Sequence, residues 1–264
     1  MINLKSVYGV LNEKGLSYTF NKIVSKIMAR KIDHYVIIKE LIIDKYGLEV
    51  GGPSGIFRNR GFIPIYNIVK GLDGCNFSNS TIWEGKIQSG ETYSYHKNRK
   101  GFQYITEAID LSLIQDAKYD FIISSHCLEH VANPLKAMEE WLRVLKKDAL
   151  LLIVVPNKQF TFDHRRPVTK FSHLLEDYHN STGENDLTHL QEILELHDLK
   201  RDKPAGGINQ FRERALNNFE TRSLHHHVFD AALLKEVFNF FKLEVLHNYD
   251  KGQDLIILGR KSCL

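Results

Sequence analysis

The sequence predicts an α/β fold: a doubly wound, mostly parallel sheet with helices on both faces, closed by an antiparallel hairpin. Three observations predict it. Residues 119–156 hold a strand–helix–strand unit in which YDFIISS and LLLIVVP are apolar through their middles. Strands without polar alternation belong to a sheet covered on both faces, and parallel neighbours need a helical crossover between them. LEVGG at 48–52 is a short apolar run breaking into glycines, the pattern of a buried strand entering a tight turn. At the far end, KLEVLHNY (242–249) and DLIILGRK (254–261) are strand-like runs separated by only a few residues, which suits a hairpin.

The other elements follow in chain order. Residues 17–45 place Ile23, Ile27, Ile32, Val36, Ile37, Leu41 and Ile42 at roughly helical spacing, which predicts two helices. A second strand is expected at Ile68–Leu72, ahead of Asp73, and a third at Gly101–Ile105, leading to Asp110 and Leu111. Asn133-Pro134 opens a helix with proline at its first position and Leu135, Met138, Leu142 and Leu145 as its apolar face. Asp230–Phe241 reads as a helix with Leu233, Leu234, Val237 and Phe241 on one side. The stretch 157–227 is rich in His, Asp, Glu and Arg and too long for a bare loop. Helical patterns at Leu187–Leu199 and Arg212–Phe219 make it a helical insertion, expected to act as a lid over the substrate.

Composition narrows the class. The 264 residues carry 35 Lys and Arg against 32 Asp and Glu, a formal +3, which is no electrostatic footprint for nucleic acid. Cys75, Cys127 and Cys263 are odd in number and far apart, so they suggest a reducing cytosol rather than a disulfide framework. The apolar runs are too short to span a bilayer, and MINLKSVYGVLNEKG lacks a secretion signal's apolar core. The expectation is a soluble, cytoplasmic enzyme.

Four strings could carry chemistry. EVGGPSG, from Glu49 through Gly51, Gly52, Pro53 and Ser54, would let backbone approach a ligand at a strand end. Asp73 lies 24 residues after Glu49, near the roughly 20 expected of a carboxylate that binds ribose hydroxyls. Asp73 and the Asp110-Leu111 pair read equally well as turn residues. SSHCLEH carries Ser125, His126, Glu129 and His130 at the end of a central strand. Its H-x-x-E-H spacing matches inverted zinc peptidases, but those histidines share a helical face, and here they fall in a turn. Within the insertion, FDHRRP supplies Asp163, His164, Arg165 and Arg166, and LHHHVF supplies His225, His226 and His227. The arginines are candidates to clamp an anionic substrate.

Taken together, LEVGGPSG, a following acid, AIDL, and the run YDFIISSHCLEHVANPLKAMEEWLRVLKKDALLLIVVPN resemble class I S-adenosylmethionine-dependent methyltransferases. The closest kind has an S-x-x-L-E-H-x-x-x-P turn after its fourth strand. The resemblance covers residues 45–156 and 228–261, and implies a Rossmann-like sheet of seven strands in a single domain. FDHRRP, HLLEDY and LHHHVF are similar to strings of a bacterial branch associated with capsular and other surface-polysaccharide synthesis. The family implies that Glu49 and the glycine turn meet the methionine part of the cofactor. It places Asp73 on the ribose, Asp110 and Leu111 at the adenine, and Ser125 and His126 beside them. Two departures stand out: the first loop is not E-x-G-x-G-x-G, and TIWEGKIQSGETYSYHKNRK lengthens the stretch between Asp73 and Asp110.

The expected reaction is O-methylation of a small polar acceptor, a sugar or nucleotide-linked sugar, with S-adenosylhomocysteine as product. Neither nucleic acid nor a membrane span is expected, and a homodimer is left open. A hydroxyl acceptor needs a base, for which His130 stands first, then His164 and His226, with Asp163 orienting an imidazole. Asp163, Arg165, Arg166, His225 and His227 would bind the acceptor. No string fixes three metal ligands at a known spacing, so no metal is assigned, although an Asp/His cluster of the lid activating the hydroxyls stays as an alternative. The rivals are a zinc hydrolase using His126, Glu129 and His130, and a catalytically silent cofactor-binding module. A nicotinamide enzyme lacks its G-x-G-x-x-G and Tyr-x-x-x-Lys signals.

Overall fold

A computed structural model of the chain describes residues 35–262. The expected helix positions Ile23, Ile27 and Ile32 lie outside the described residues, as does Cys263. Helix α1 (Tyr35–Ile42) leads into strand β1 (Tyr46–Val50), and β2 (Gly71–Asn76) follows after a long turn. A small ribbon, β3 (Ser80–Thr81) with β4 (Gly85–Lys86), precedes β5 (Gly90–His96) and β6 (Arg99–Ile105). Then come β7 (Tyr119–Ser125), α2 (Pro134–Val144) and β8 (Leu145–Pro156). The insertion holds α3 (Phe171–His179), α4 (Leu190–Leu196), α5 (Ile208–Leu216) and the single turn α6 (Asn218–Thr221). Helix α7 (Ala231–Phe240) and the hairpin β9 (Glu244–Asp250) and β10 (Asp254–Arg260) close the chain.

The main sheet runs β5-β6-β2-β1-β7-β8-β10-β9. Its five middle strands from β6 to β8 are parallel, β10 at one end and β5 at the other run against them, and β9 pairs antiparallel with β10. The sheet therefore has eight strands, not seven. The additional one is β5, built from the lengthened stretch between Asp73 and Asp110. Tyr93 and Tyr95 alternate inward along it, while Glu91, Thr92 and Ser94 face out, as an edge strand allows.

Alternation along β8 shows why its apolar run is continuous. Leu151, Ile153 and Val155 pack on the face covered by α2 and α7, with Trp141, Leu233 and Phe238. Leu150, Leu152 and Val154 pack on the other, with Ile38 of α1 and Phe57 and Tyr66 of the turn after β1. Asn133 caps α2 by accepting from the Lys136 N–H at 3.0 Å.

Two boundaries differ from expectation. Leu145 begins β8 instead of ending the helix face. The second strand is Gly71–Asn76 rather than Ile68–Leu72, which puts Asp73 inside it. GLDGCN has no apolar period because its neighbours dictate its residues: a Cβ on Gly74 would fall 2.1 Å from the Tyr93 ring. The insertion is helical as expected, with shifted limits and with α3 added. Among the described residues no helix is long and apolar enough to cross a membrane.

Candidate active site

The carboxyl ends of β1, β2, β6 and β7 open into a cleft of about 1910 Å³, roofed by the insertion and the β9–β10 turn. Open α/β sheets place their ligands at this rim. Gly51, Pro53 and Ser54 line it from the first loop, Asn76 from β2, Thr106–Ala108 from β6, and Ser125, His126 and His130 from the turn after β7.

Glu49 shapes this rim without lining it. It is fully buried, and its Oε1 accepts from the Ser54 N–H (2.9 Å) and hydroxyl (2.7 Å). Oε2 accepts from the hydroxyls of Tyr66 (2.7 Å) and Tyr93 (2.6 Å). Burial pushes the carboxyl above its usual range, against the pull of these donors. Glu49 therefore fixes the loop 51–54 in place, a correction to its expected contact with the cofactor. Gly52 is needed by the same arrangement, since a Cβ there would fall 2.2 Å from the Glu49 carboxyl carbon.

Asp73 does not reach the cleft. It is fully buried level with Leu48, where Tyr46 OH (2.6 Å), the Phe102 N–H (2.9 Å), Lys118 Nζ (2.9 Å) and Tyr119 OH (2.7 Å) all donate to it. Four donors satisfy the carboxylate, so it ties four elements together at mid-sheet. The β2 residues that reach the rim are Cys75 and Asn76, and the Asn76 side-chain amide donates to Gly52 O at 3.0 Å. Asp110 is likewise displaced. It is exposed, accepts from the Ser112 N–H at 3.0 Å, and is held below the usual carboxylate range by the Ser112 hydroxyl and then by that N–H. Leu111 is buried in the core. Thr106, Glu107 and Ala108 occupy the place expected of that pair.

The turn after β7 is irregular. His126 has a positive φ of 52°, and a 3-10 turn at Leu128–His130 follows. His126 Nε2 lies 2.7 Å from Asp254 Oδ1. Burial alone would lower its pKa, but Asp254 and Glu129 raise it above the usual value. His130 Nδ1 is 2.9 Å from Leu224 O, and since a carbonyl only accepts, Nδ1 carries the proton and Nε2 a lone pair. Burial first, then His225, push His130 well below its usual pKa, so the ring is neutral. Glu129 is buried with neither carboxylate oxygen hydrogen-bonded. Ligand atoms of Glu129, His130 and His225 all lie within 4.8 Å of one another.

The insertion brings one expected histidine to the cleft and withdraws the others. His225 lines it, 4.6 Å from His130 between ring centroids, with Nδ1 2.5 Å from Asp163 Oδ2. Asp163 is held down to about 2 against burial by His225 and Arg166. Arg166 is not a substrate clamp. It is 1% exposed, with Nε on Glu192 (2.8 Å), Nη1 on Asp163 (3.1 Å) and His225 O (2.7 Å), and Nη2 on His226 O (3.1 Å). Arg165 points to Asp198 (3.5 Å), as does His164 (2.9 Å), and neither lines the cleft. His226 is buried against the Asn218 amide at 3.1 Å, and burial pushes it down to about 4. His227 is buried behind it. His164, His226 and His227 are thus corrected from base or substrate roles.

An ion-pair bridge between insertion and rim was not anticipated. Arg222, at φ 47°, reaches Glu184 (2.6 Å) and Glu107 (2.7 Å) and lies over the Phe77 ring at 4.8 Å. Burial raises Glu184 to about 7, with Glu107 adding to it and Arg222 opposing. Only the acid-rich composition of 176–186 hints at this in the sequence.

The sequence pattern of the family described as a methyltransferase domain matches residues 21–248. The chain belongs to that family. Its methyl donor is S-adenosylmethionine. Among solved structures it is similar to a SAM-dependent methyltransferase from Aquifex aeolicus, at 14% identity over 89% of this chain and 92% of that one, TM-score 0.46. Another is a SAM-dependent methyltransferase from Thermotoga maritima described as a possible histamine N-methyltransferase (15%, 93% and 97%, TM-score 0.45). A third is a SAM-dependent methyltransferase from Methanosarcina mazei (16%, 87% and 98%, TM-score 0.45). No curated protein matches. The zinc-hydrolase reading ends here, since the H-x-x-E-H string is a strand-end turn whose His126 is taken up by Asp254.

The rim residues fit the cofactor. The cleft has room for a nucleoside and an acceptor together, and Gly51, Asn76, Ala108 and Ser125 give it a wall of small and amide side chains.

Proposed function

We propose that this methyltransferase transfers to a hydroxyl of a small carbohydrate, free or nucleotide-linked, in surface-polysaccharide synthesis, with His225 as the base. One observation carries the reading: His225, held by Asp163, and His130, held by Leu224 O, meet at the cleft wall under the insertion. With the Asp163 carboxylate ionised, His225 Nδ1 donates to it and Nε2 keeps a lone pair for the acceptor. S-adenosylmethionine, when bound, supplies an electrophilic methyl group on a sulfonium. Gly51, Asn76 and Ser125 hold the cofactor at the rim, and Glu49 holds the loop that shapes it. His225 Nε2 takes the hydroxyl proton, and Asp163 stabilises the resulting imidazolium. His130, neutral and adjacent, accepts a second acceptor hydroxyl.

The carbohydrate reading is supported by Trp83 and Phe160, 43% and 56% exposed on the cleft wall beside Arg60, Arg214 and Asp250. Broad apolar faces among polar groups suit a ring carrying many hydroxyls. The insertion acts as the lid that covers the acceptor. The test is a methyl-transfer screen over nucleotide-linked and free sugars with the intact protein. Turnover on a sugar hydroxyl, falling about 10²–10⁴-fold in His225→Ala, is expected. Amine or protein acceptors taken in preference, or no turnover with any acceptor, would overturn it.

A second reading is favoured by the two unpartnered oxygens of Glu129: a divalent cation on Glu129, His130 and His225 that acidifies the acceptor hydroxyl. Turnover restored only by added Mg²⁺ or Mn²⁺ after passage over a chelating resin would select it over the plain base.

A further inference from the structure

Away from the cleft, four side chains of the insertion converge. His173 and Asp177 stand one turn apart on α3, His189 caps the start of α4, and His227 lies in the extended stretch before α7. His173 Nε2 is 3.0 Å from His189 Nε2 and 3.4 Å from Asp177 Oδ2, and Asp177 Oδ2 is 3.7 Å from His227 Nε2. Their ligand atoms all lie within 4.8 Å of one another. None of the four lines the cleft.

We propose that His173, Asp177, His189 and His227 form a structural zinc site that clamps the insertion against the turn after β7. Bonds of about 2.0–2.1 Å in a tetrahedron put ligand atoms about 3.3 Å apart, and the three separations above straddle that value. One atom points to an ion rather than to a hydrogen-bonded cluster. Asp177 Oδ2 is buried and receives no hydrogen bond, although Oδ1 accepts from Thr182 at 3.1 Å. His227 presents Nε2 to the cluster, and binding an ion there would release its 3.2 Å contact with Ala132 O. Three imidazoles and a carboxylate suit Zn²⁺ better than Mg²⁺ or Ca²⁺, which prefer oxygen. Thr182 on Asp177 is the kind of outer contact that orients such a ligand.

The placement gives the ion a task. It joins α3, the start of α4 and the stretch before α7. The His227 backbone N–H also donates to Glu129 O at 3.3 Å, so the clamp reaches the turn that carries His130. Two residues upstream, His225 is thereby held at the cleft. Four protein ligands leave no open position, which separates this site from the cleft-facing Glu129, His130 and His225.

The test is metal analysis of the untagged full chain by plasma mass spectrometry, after incubation with equimolar ZnCl₂ and desalting. About one zinc per chain is expected, with no metal in His173→Ala/His189→Ala and full retention in Glu129→Gln. If the double variant does not fold, His189→Cys loaded with Co²⁺ decides the matter. A bound tetrahedral cobalt with a thiolate charge-transfer band supports the site. Its absence overturns the site, as does zinc retained in the double variant, zinc lost from Glu129→Gln, or a wild-type chain holding less than about a tenth of an equivalent. These readouts do not depend on the acceptor or on methyl transfer.

Discussion

Strand β8 buries Leu150 through Val155 on alternating faces, with no charge among them. The insertion buries Asp163, Arg166, Asp177, Glu184, His226 and His227 around an apolar cluster of Ile193, Ala205, Phe211, Ala215 and Leu224. The sheet is thus held by area removed from water, which is non-directional and tolerant of exchange among similar side chains. The insertion is held by paired charges, where losing one partner strands the other. The difference teaches that a region built on polar pairing can be rigid where it lines the cleft and still fail at a single residue.

The largest effect expected from this contrast is at Arg166. Arg166→Met leaves Asp163 and Glu192 without their buried cation and should cost about 3–5 kcal/mol. Hydrogen exchange should rise across 157–230 and stay unchanged in β1, β7 and β8. Exchange rising equally in the sheet would remove the distinction between the two regions.

That contrast also explains what was legible in the sequence. Apolar runs gave β7, the hairpin and the carboxyl-terminal part of β8, because burial on both faces leaves a continuous apolar string, while the first residues of β8, LKKDA, carry charges and were missed. β2 was misplaced because its residues answer to Tyr93, Tyr46 and Tyr119, none adjacent in the chain. Asp73 shows the cost of spacing alone: its distance from Glu49 suits a ribose contact, yet the register puts it mid-sheet. In the insertion, DHRRP and HHH announced importance without stating roles. Whether an arginine faces substrate or carbonyls depends on contacts some 60 residues away. Of the three consecutive histidines only His225 reaches the cleft, and three identical side chains in a row carry no sign of which one it is.

On the sheet side, Glu49→Gln should weaken S-adenosylhomocysteine binding by about ten- to a hundredfold. Charge-assisted hydrogen bonds of about 1.5–3 kcal/mol then no longer fix the loop 51–54. Calorimetry reads the affinity, and exchange in the insertion should not change. A wild-type affinity would show that the loop is held by other means.

Acid sharpens the comparison from the insertion's side. Asp163 sits at about 2, below the ordinary carboxylate value, so it contributes stability that is complete above about pH 4 and lost as pH falls through 2. That is about 2 kcal/mol between pH 4 and 2, which Asp163→Asn should no longer show. Pepsin pulses across this range read it as cleavage within 157–230. An unchanged pH slope in the variant would contradict the pairing.

The smallest effect is expected at the rim. Asn76→Ala removes one hydrogen bond to Gly52 O, worth about 0.5–1.5 kcal/mol, and should weaken S-adenosylhomocysteine by only a few fold.

Titrating S-adenosylhomocysteine into His225→Ala by calorimetry puts the division of labour to its most direct trial. Stoichiometric binding within about threefold of wild type, well under 1 kcal/mol, is the result predicted for a cofactor seated on the sheet rim alone. Binding abolished together with turnover would contradict it, because the rim and the insertion would then be a single site.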